Sequence, residues 1–288
     1  MNSLLKNQNE PELLKLLRAS SVAYSKAKVW ELKFSYSLIL LSVAYPISYV
    51  FIKDESIKLT LFGFSFFLTV LIEIITDKLK GNTSRGATFK EEFDIILFDL
   101  PWKSTLKRPD HSEVSKLSTE YKGKEIKDWY SCNLSSSIPH NIAVAILQHS
   151  NTSWDIELRK SFKDLIIYIL FAYTISLFAF IVIMKIDGLT MFFIAFSVLS
   201  FYTHFISLLR GHTSAIEKRE DISKHLDEII RSKQNISVEN LRDIQDEIYS
   251  TRNESAKVPN FFFRLKYKRM NAITDDYIES VNNIYNSH

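Results

Sequence analysis

The chain has 288 residues, 46% of them hydrophobic and 24% charged, with a formal net charge of +3. That is ample material for a core, and the excess of positive charge is too small and too evenly spread to make a DNA or RNA duplex its principal partner. One cysteine, Cys132, excludes an intrachain disulfide and has no metal-ligand spacing around it, so a reducing compartment fits and neither metal nor cofactor is expected.

Residues 1–33 are polar and charged and lack the basic, apolar and small-residue order of a cleavable signal, so the mature chain is expected to begin at Met1. After Asn9-Glu10-Pro11, the residues Leu13, Leu14, Leu16, Leu17, Val22, Tyr24 and Val29 recur near helical spacing. A helix is predicted there, running into the first of four apolar runs. Those runs cover residues 34–52, 59–76, 165–184 and 189–209, and their only acid-base groups apart from tyrosines are Glu73 and His204. A helix needs roughly 20 apolar residues to cross a ~30 Å hydrocarbon layer, so all four read as transmembrane helices. Pro46 inside the first is compatible with that, because a neighbouring helix can satisfy the carbonyl it frees.

The links within each pair are minimal, which makes two tight hairpins, 34–76 and 165–209. Four spans put residues 1–33, 77–164 and 210–288 on one face. Those segments hold 6, 14 and 13 Lys plus Arg, against 3 at the hairpin tips. The positive-inside rule then places them, and both termini, in the cytosol.

In the central cytosolic segment Gly81 and Gly86 are expected to weaken the helix leaving the second span. Phe89, Phe93, Ile96 and Leu97 resume its periodicity up to Leu100-Pro101-Trp102, and Lys107-Arg108-Pro109-Asp110 reads as a turn opening another helix. An apolar stretch from Ile138 to His149 leads through Trp154, Leu158 and Phe162 into the third span. Beyond the fourth, Ile216, Leu226, Ile229 and Ile230 continue the helix outward, and Ser237 is placed to cap one bearing Val238, Leu241, Ile244 and Ile248. The run Phe261 to Arg269 mixes aromatics with cations, and either lies at an anionic membrane surface or packs on the cytosolic helices. No segment alternates with period two for long enough to make a sheet. The expected fold is an all-α membrane protein with four transmembrane helices in two hairpins, helical cytosolic extensions and a helical cytosolic domain.

An ordered set of short motifs carries a resemblance: Met1-Asn2-Ser3 with Asn9; Tyr24 to Lys28; Asp94 with Leu100-Pro101-Trp102; Lys107 to Asp110; Trp129-Tyr130; Pro139; Trp154-Asp155 with Leu158-Arg159; and Gln245 to Tyr249 with Arg252. Spread over nearly the whole chain around the same layout of spans, they resemble the SMODS-associated four-transmembrane effectors of bacterial antiphage (CBASS-type) defence. The resemblance implies a pore-forming effector encoded beside a nucleotidyltransferase. A cyclic or linear oligonucleotide second messenger would trigger it to permeabilise the inner membrane and arrest or kill the infected cell. It carries over no catalytic residue.

Glu73 and His204 lie about 21 Å and about 22 Å into spans that both run from outside to inside, counted at about 1.5 Å per residue, and so sit at similar depth. Ser65, Thr69, Glu73 and Thr76 share one helical face; Thr190, Ser197, Ser200, His204 and Ser207 share another, and Ser35, Ser42, Tyr45 and Tyr49 form a weaker third stripe. Intramembrane polar groups usually face a bundle interior or water. Two readings stand open: a conduit lined by these residues, or Ser and Thr bonded to their own helices with Glu73 and His204 as a packing pair in one subunit. Because a four-helix bundle fills its own interior, conduction requires a homo-oligomer. For a phosphate-bearing messenger the cytosolic segments offer Trp102, Lys107, Arg108, Trp129, Arg159 and Arg252 as cationic, hydrogen-bonding and stacking groups.

No Gly-rich phosphate loop, Cys/His ligand set or serine elbow stands out, so an enzyme is not expected. The alternative to a membrane-disrupting effector is a non-conducting membrane receptor or scaffold signalling to a partner protein. A transporter is disfavoured for want of paired broken helices.

Overall fold

A computed structural model describes residues 2–286, with the side chains of Thr69 and residues 72–80 outside the described set. Among the described residues every regular element is a helix and none is a strand. A short 3-10 turn, Ser3–Asn7, precedes α1 (Pro11–Phe51), α2 (Glu55–Phe98), α3 (His111–Thr119), α4 (His140–Ile183), α5 (Gly188–Ser232), α6 (Val238–Glu254) and α7 (Asn260–Asn286).

The punctuation follows local chemistry. Pro11, with φ already suited to a first turn, opens α1, and Asp54, Asp110, Asp187 and Ser237 cap α2, α3, α5 and α6 by accepting from backbone N–H groups one turn in. Asp99 and Lys233 take left-handed conformations (φ 55° and 53°) that end α2 and α5. Pro101 prevents the former from resuming.

The four long helices pair as α1/α2 and α4/α5, each 41 to 45 residues long and joined through a tip of a few residues. Each is continuous from one end of the molecule to the other. α1 passes through Pro46 without interruption. Proline at 46 removes the N–H that would bond the Ser42 carbonyl, and Tyr173 of α4 donates its hydroxyl to that carbonyl at 2.7 Å. α2 likewise runs without interruption through Gly81 and Gly86, the two glycines expected to weaken it. At Gly86 the reason is close approach: a Cβ there would sit 3.0 Å from the Tyr24 ring, and Ser20 Oγ donates to the Gly86 carbonyl at 2.8 Å. α4 holds neither glycine nor proline.

The molecule has two chemically different halves. In one, Leu5, Leu17, Phe93, Leu226, Leu241 and Ile278 close a conventional core, and the first turns of α4, Ala143 to Leu147, are fully buried all round. α7 packs on α4 in this half: Trp154 Nε1 donates to Asn271 Oδ1 at 3.1 Å, and the His149 and Tyr277 rings stack at 4.3 Å. Asn2, Gln8 and Asn9 staple the irregular segment before α4 through bonds to the Ser135 carbonyl, the Tyr130 backbone and Asp128. We call this half the head.

In the other half the apolar side chains point outward. Phe171, Phe178 and Ile183 on α4 are 66%, 69% and 75% exposed, a belt that water does not tolerate at this extent. Among the described residues α1, α4 and α5 are each long and apolar enough to cross a membrane. The fourth expected span, in α2, includes Thr69 and residues 72–76, whose side chains lie outside the described set. The aromatic and basic start of α7 divides between the two expectations made for it, with Phe262 buried against Phe162 while Phe261 and Leu265 remain exposed.

Candidate functional site

Polar groups of the apolar half turn inward. Ser42 and Tyr45 of α1, Ser65 of α2, and Ser197 and Ser200 of α5 surround a cavity of about 10 Å³, room for one water at most. Tyr49 and Ser197 hydroxyls meet at 3.0 Å, and among the described residues the buried Tyr45 hydroxyl has no partner. His204 sits nearer the head, its Nε2 2.9 Å from Ser35 Oγ and its ring edge-on to Phe34. Of the residues expected to line a conduit, then, Ser65, Ser197 and Ser200 share one cavity, His204 bonds to α1, and Ser207 faces outward. Thr69 and Glu73 lie outside the described side chains.

Two buried ionic clusters organise the head. In the first, α2 supplies Lys90, Glu91 and Asp94 and α6 supplies Arg242, Gln245, Asp246 and Arg252. Arg252 pairs with Asp94 at 2.7 Å, Arg242 with Glu91 at 2.6 Å and also with Asp246, and Gln245 Nε2 donates to Glu91 at 2.8 Å. Lys90 pairs with Asp94, and Tyr130 donates to the same carboxylate at 2.7 Å. Burial alone would raise the Asp94 carboxyl; the charges of Lys90 and Arg252 outweigh it and hold it below the usual range. Glu91 goes the other way, since burial outweighs its arginines.

The second cluster lies closer to the apolar half. Asp155 of α4 accepts from Arg159 Nε and from Arg219 Nε of α5, both at 2.6 Å. Arg159 also donates to the Ala256 carbonyl at 2.7 Å and approaches His212 Nδ1 at 3.2 Å, and Arg219 donates to Ser255 Oγ at 3.0 Å. The α6–α7 linker is thereby fastened to α4 and α5. Burial would raise Asp155, but the two guanidinium groups hold it well below the carboxylate range. His212 is pushed down to about 3, first by burial and then by Arg159, and is neutral.

The messenger-binding candidates thus divide. Arg159 and Arg252 are engaged in these clusters. Trp102, Lys107 and Arg108 sit together at the head surface: Arg108 lies over the Trp102 ring at 5.4 Å, and Trp102 Nε1 donates to the Leu106 carbonyl at 2.6 Å. Trp129, 43% exposed, has the Lys90 ammonium over its ring at 4.8 Å. Among the described residues no group of three or more His, Cys, Asp or Glu is placed to hold a metal ion.

Sequence reasoning missed Glu91, Arg242, Arg219 and His212. One signal was available: Lys90/Asp94, Asp155/Arg159 and Arg242/Asp246 are acid–base pairs four residues apart, two of them on otherwise apolar helix faces. The motifs that carried the resemblance converge here, with Asp94, Tyr130, Gln245 and Arg252 in the first cluster and Asp155 and Arg159 in the second.

Membrane-length apolar helices in hairpins, joined to a charged helical head, define a helical membrane protein. The chain belongs to the SMODS-associating 4TM effector domain family, which matches residues 2–281. It is 29% identical over 189 residues to a probable CBASS effector molecule of Bacillus cereus strain VD146, a stretch covering 62% of this chain and 62% of that relative, so the chain spans under two thirds of the relative's length. No solved structure matches it.

Proposed function

We propose that this chain is a membrane-disrupting effector of bacterial CBASS-type antiphage defence, triggered by a cytosolic oligonucleotide second messenger and acting as a pore-forming homo-oligomer in the inner membrane. The observation that carries the reading is the family match over residues 2–281 of a chain with membrane-length apolar helices. On this reading α2 supplies the fourth span, and the termini and residues 77–164 face the cytosol.

The interior cavity of about 10 Å³ supports an oligomeric conductor, because one subunit has no room for an ion column. Subunits would have to assemble or rearrange so that the stripes of Ser65, Thr69, Glu73 and of Ser197, Ser200, His204, Ser207 surround a common axis. The messenger would meet the exposed Lys107, Arg108 and Trp129 and the partly buried Trp102. Its phosphates would draw Arg159 and Arg252 from their carboxylates, releasing the linker that the second cluster ties to α4 and α5. The role is binding and conduction, without catalysis.

The filled bundle also favours a second reading, a non-conducting receptor that passes movement of the head to a partner protein. Dye release separates the two. Purified protein in liposomes, challenged with a panel of cyclic and linear oligonucleotides, should leak with one of them in the effector case. Binding of a nucleotide without leakage establishes the receptor instead.

A further inference from the structure

A second cavity, of about 90 Å³, opens where the apolar runs meet the head. Its walls include Ile39 of α1, Leu165 and Ile169 of α4 and Leu208 of α5, residues at the first or last turns of those runs. Its polar end holds Lys28, Glu31 and Lys257. The side toward the apolar belt is open, since Tyr36 and Phe261, which also line it, are 55% and 50% exposed.

Neither lysine forms a close ion pair among the described residues, although the carboxylates of Glu31 and Asp155 lie near enough to act on both. Lys28 Nζ donates to Asn260 Oδ1 and Lys257 Nζ to the Arg252 carbonyl, each at 3.0 Å and each a neutral acceptor; among the described residues neither ammonium has an ion-pair partner. Glu31 accepts from the Lys257 backbone N–H instead. Arg159, whose charge also acts on both lysines, is already committed to Asp155. Two ammonium groups thus share the end of an apolar cavity with one carboxylate, an arrangement that favours a bound anion.

We propose that this cavity is a binding site for an anionic phospholipid of the cytosolic leaflet, its phosphate between Lys28 and Lys257 and the start of an acyl chain along Ile39, Leu165, Ile169 and Leu208. The chemistry commits to an amphiphile, because a soluble phosphate would leave the apolar wall unused while a neutral lipid would leave the lysines uncompensated. Burial drives Lys28 down to about 8 and Lys257 down to about 7 by disfavouring their charged forms, and an anion seated between them would raise both again. Lys257 belongs to the linker that the Asp155 cluster holds, so an occupied site ties α7 to α1 through the lipid. The inference rests on the membrane location proposed above.

Native mass spectrometry of the full chain tests it, released from nanodiscs of equal phosphatidylglycerol and phosphatidylcholine with identical acyl chains. Wild type should retain phosphatidylglycerol about thirtyfold over phosphatidylcholine, the combined attraction of two lysines near the headgroup. The Lys28→Gln/Lys257→Gln variant should lose that preference, and Arg264→Gln/Lys268→Gln, on the exposed face of α7, should keep it. Leu165→Trp, which fills the cavity without touching its charge, should lose the lipid altogether and serves if the lysine variant does not fold. Equal retention of the two lipids by wild type overturns the inference, as does a preference that survives both Lys28→Gln/Lys257→Gln and Leu165→Trp. Displacement of the lipid by a soluble oligonucleotide or by glycerol phosphate also overturns it. Failure to enter nanodiscs at all would instead sink the membrane location.

Discussion

Tyr173 on α4 donates its hydroxyl at 2.7 Å to the carbonyl of Ser42 on α1, the acceptor that Pro46 strips of its helical partner. One side chain thereby repairs a neighbouring helix and fixes the depth at which the two hairpins meet. Tyr173→Phe should destabilise the detergent-solubilised protein by about 1–2 kcal/mol, read as a fall in melting temperature, because the carbonyl is left unsatisfied in an apolar interior. In a Pro46→Ala background, where the backbone supplies the missing N–H, the same change should cost almost nothing. An equal cost in both backgrounds would show that Tyr173 acts by packing alone.

Asp155 neutralises two buried arginines from adjacent helices. Asp155→Asn leaves both charges uncompensated and is expected to cost about 3–5 kcal/mol, whereas the fully apolar set Asp155→Leu/Arg159→Met/Arg219→Met should recover most of it. Chemical denaturation of the three proteins side by side checks this, and a milder effect for Asp155→Asn than for the triple variant would contradict it.

His212 is held at about 3 in the folded chain against 6.5 when exposed. A depressed histidine binds its proton only on unfolding, so the stability it protects is complete above pH 6.5 and declines as pH falls toward 3. From this group alone, roughly 2 kcal/mol should be gone by pH 5. His149, lowered to about 4 by burial, adds to the same limb. Melting curves between pH 7.5 and 5 should show a shallower slope for His212→Leu than for wild type; parallel slopes would mean that His212 is charged in the fold.

Gly86 presses its backbone against the Tyr24 ring. A leucine there must displace that ring or part α1 from α2, which costs about 1–3 kcal/mol as overpacking. Gly81→Leu is the control, since among the described residues nothing lies within 4 Å of a Cβ at that position. Comparable melting temperatures for the two variants would rule out the close approach.

If polar stripes line the conducting state, Glu73→Leu/His204→Leu should lower messenger-triggered dye release at least several-fold while leaving messenger binding intact. Unchanged flux and ion selectivity would remove both residues from the pathway.

The long helices were legible because a membrane imposes a length, and apolar runs of 18 to 21 residues, with Glu73 and His204 as their acid-base groups apart from tyrosines, leave few alternatives. Their extension into the head was legible too, from apolar periodicity continuing through Trp154 to Phe162 and through Ile216 to Ile230. Hidden from the sequence were pairings set by tertiary geometry. Glu91 finds Arg242 151 positions away, and Asn2 finds the Ser135 carbonyl 133 positions away. Gly86 misled for a related reason: read locally a glycine loosens a helix, yet here it admits a ring from α1. The conduit-lining candidates were read as helix faces, and three of them proved to share one small cavity, a juxtaposition that no single helix reveals.

α4 contains neither glycine nor proline, and its 44 residues, at about 1.5 Å each, run for about 66 Å. One end, Ala143 to Leu147, is gripped on every side by the head, while the other presents Phe171 and Phe178 outward. The buried residues of the head and the outward rings are thus successive turns of one unbroken helix, so the two chemically different halves share a backbone and cannot part without breaking its hydrogen bonds.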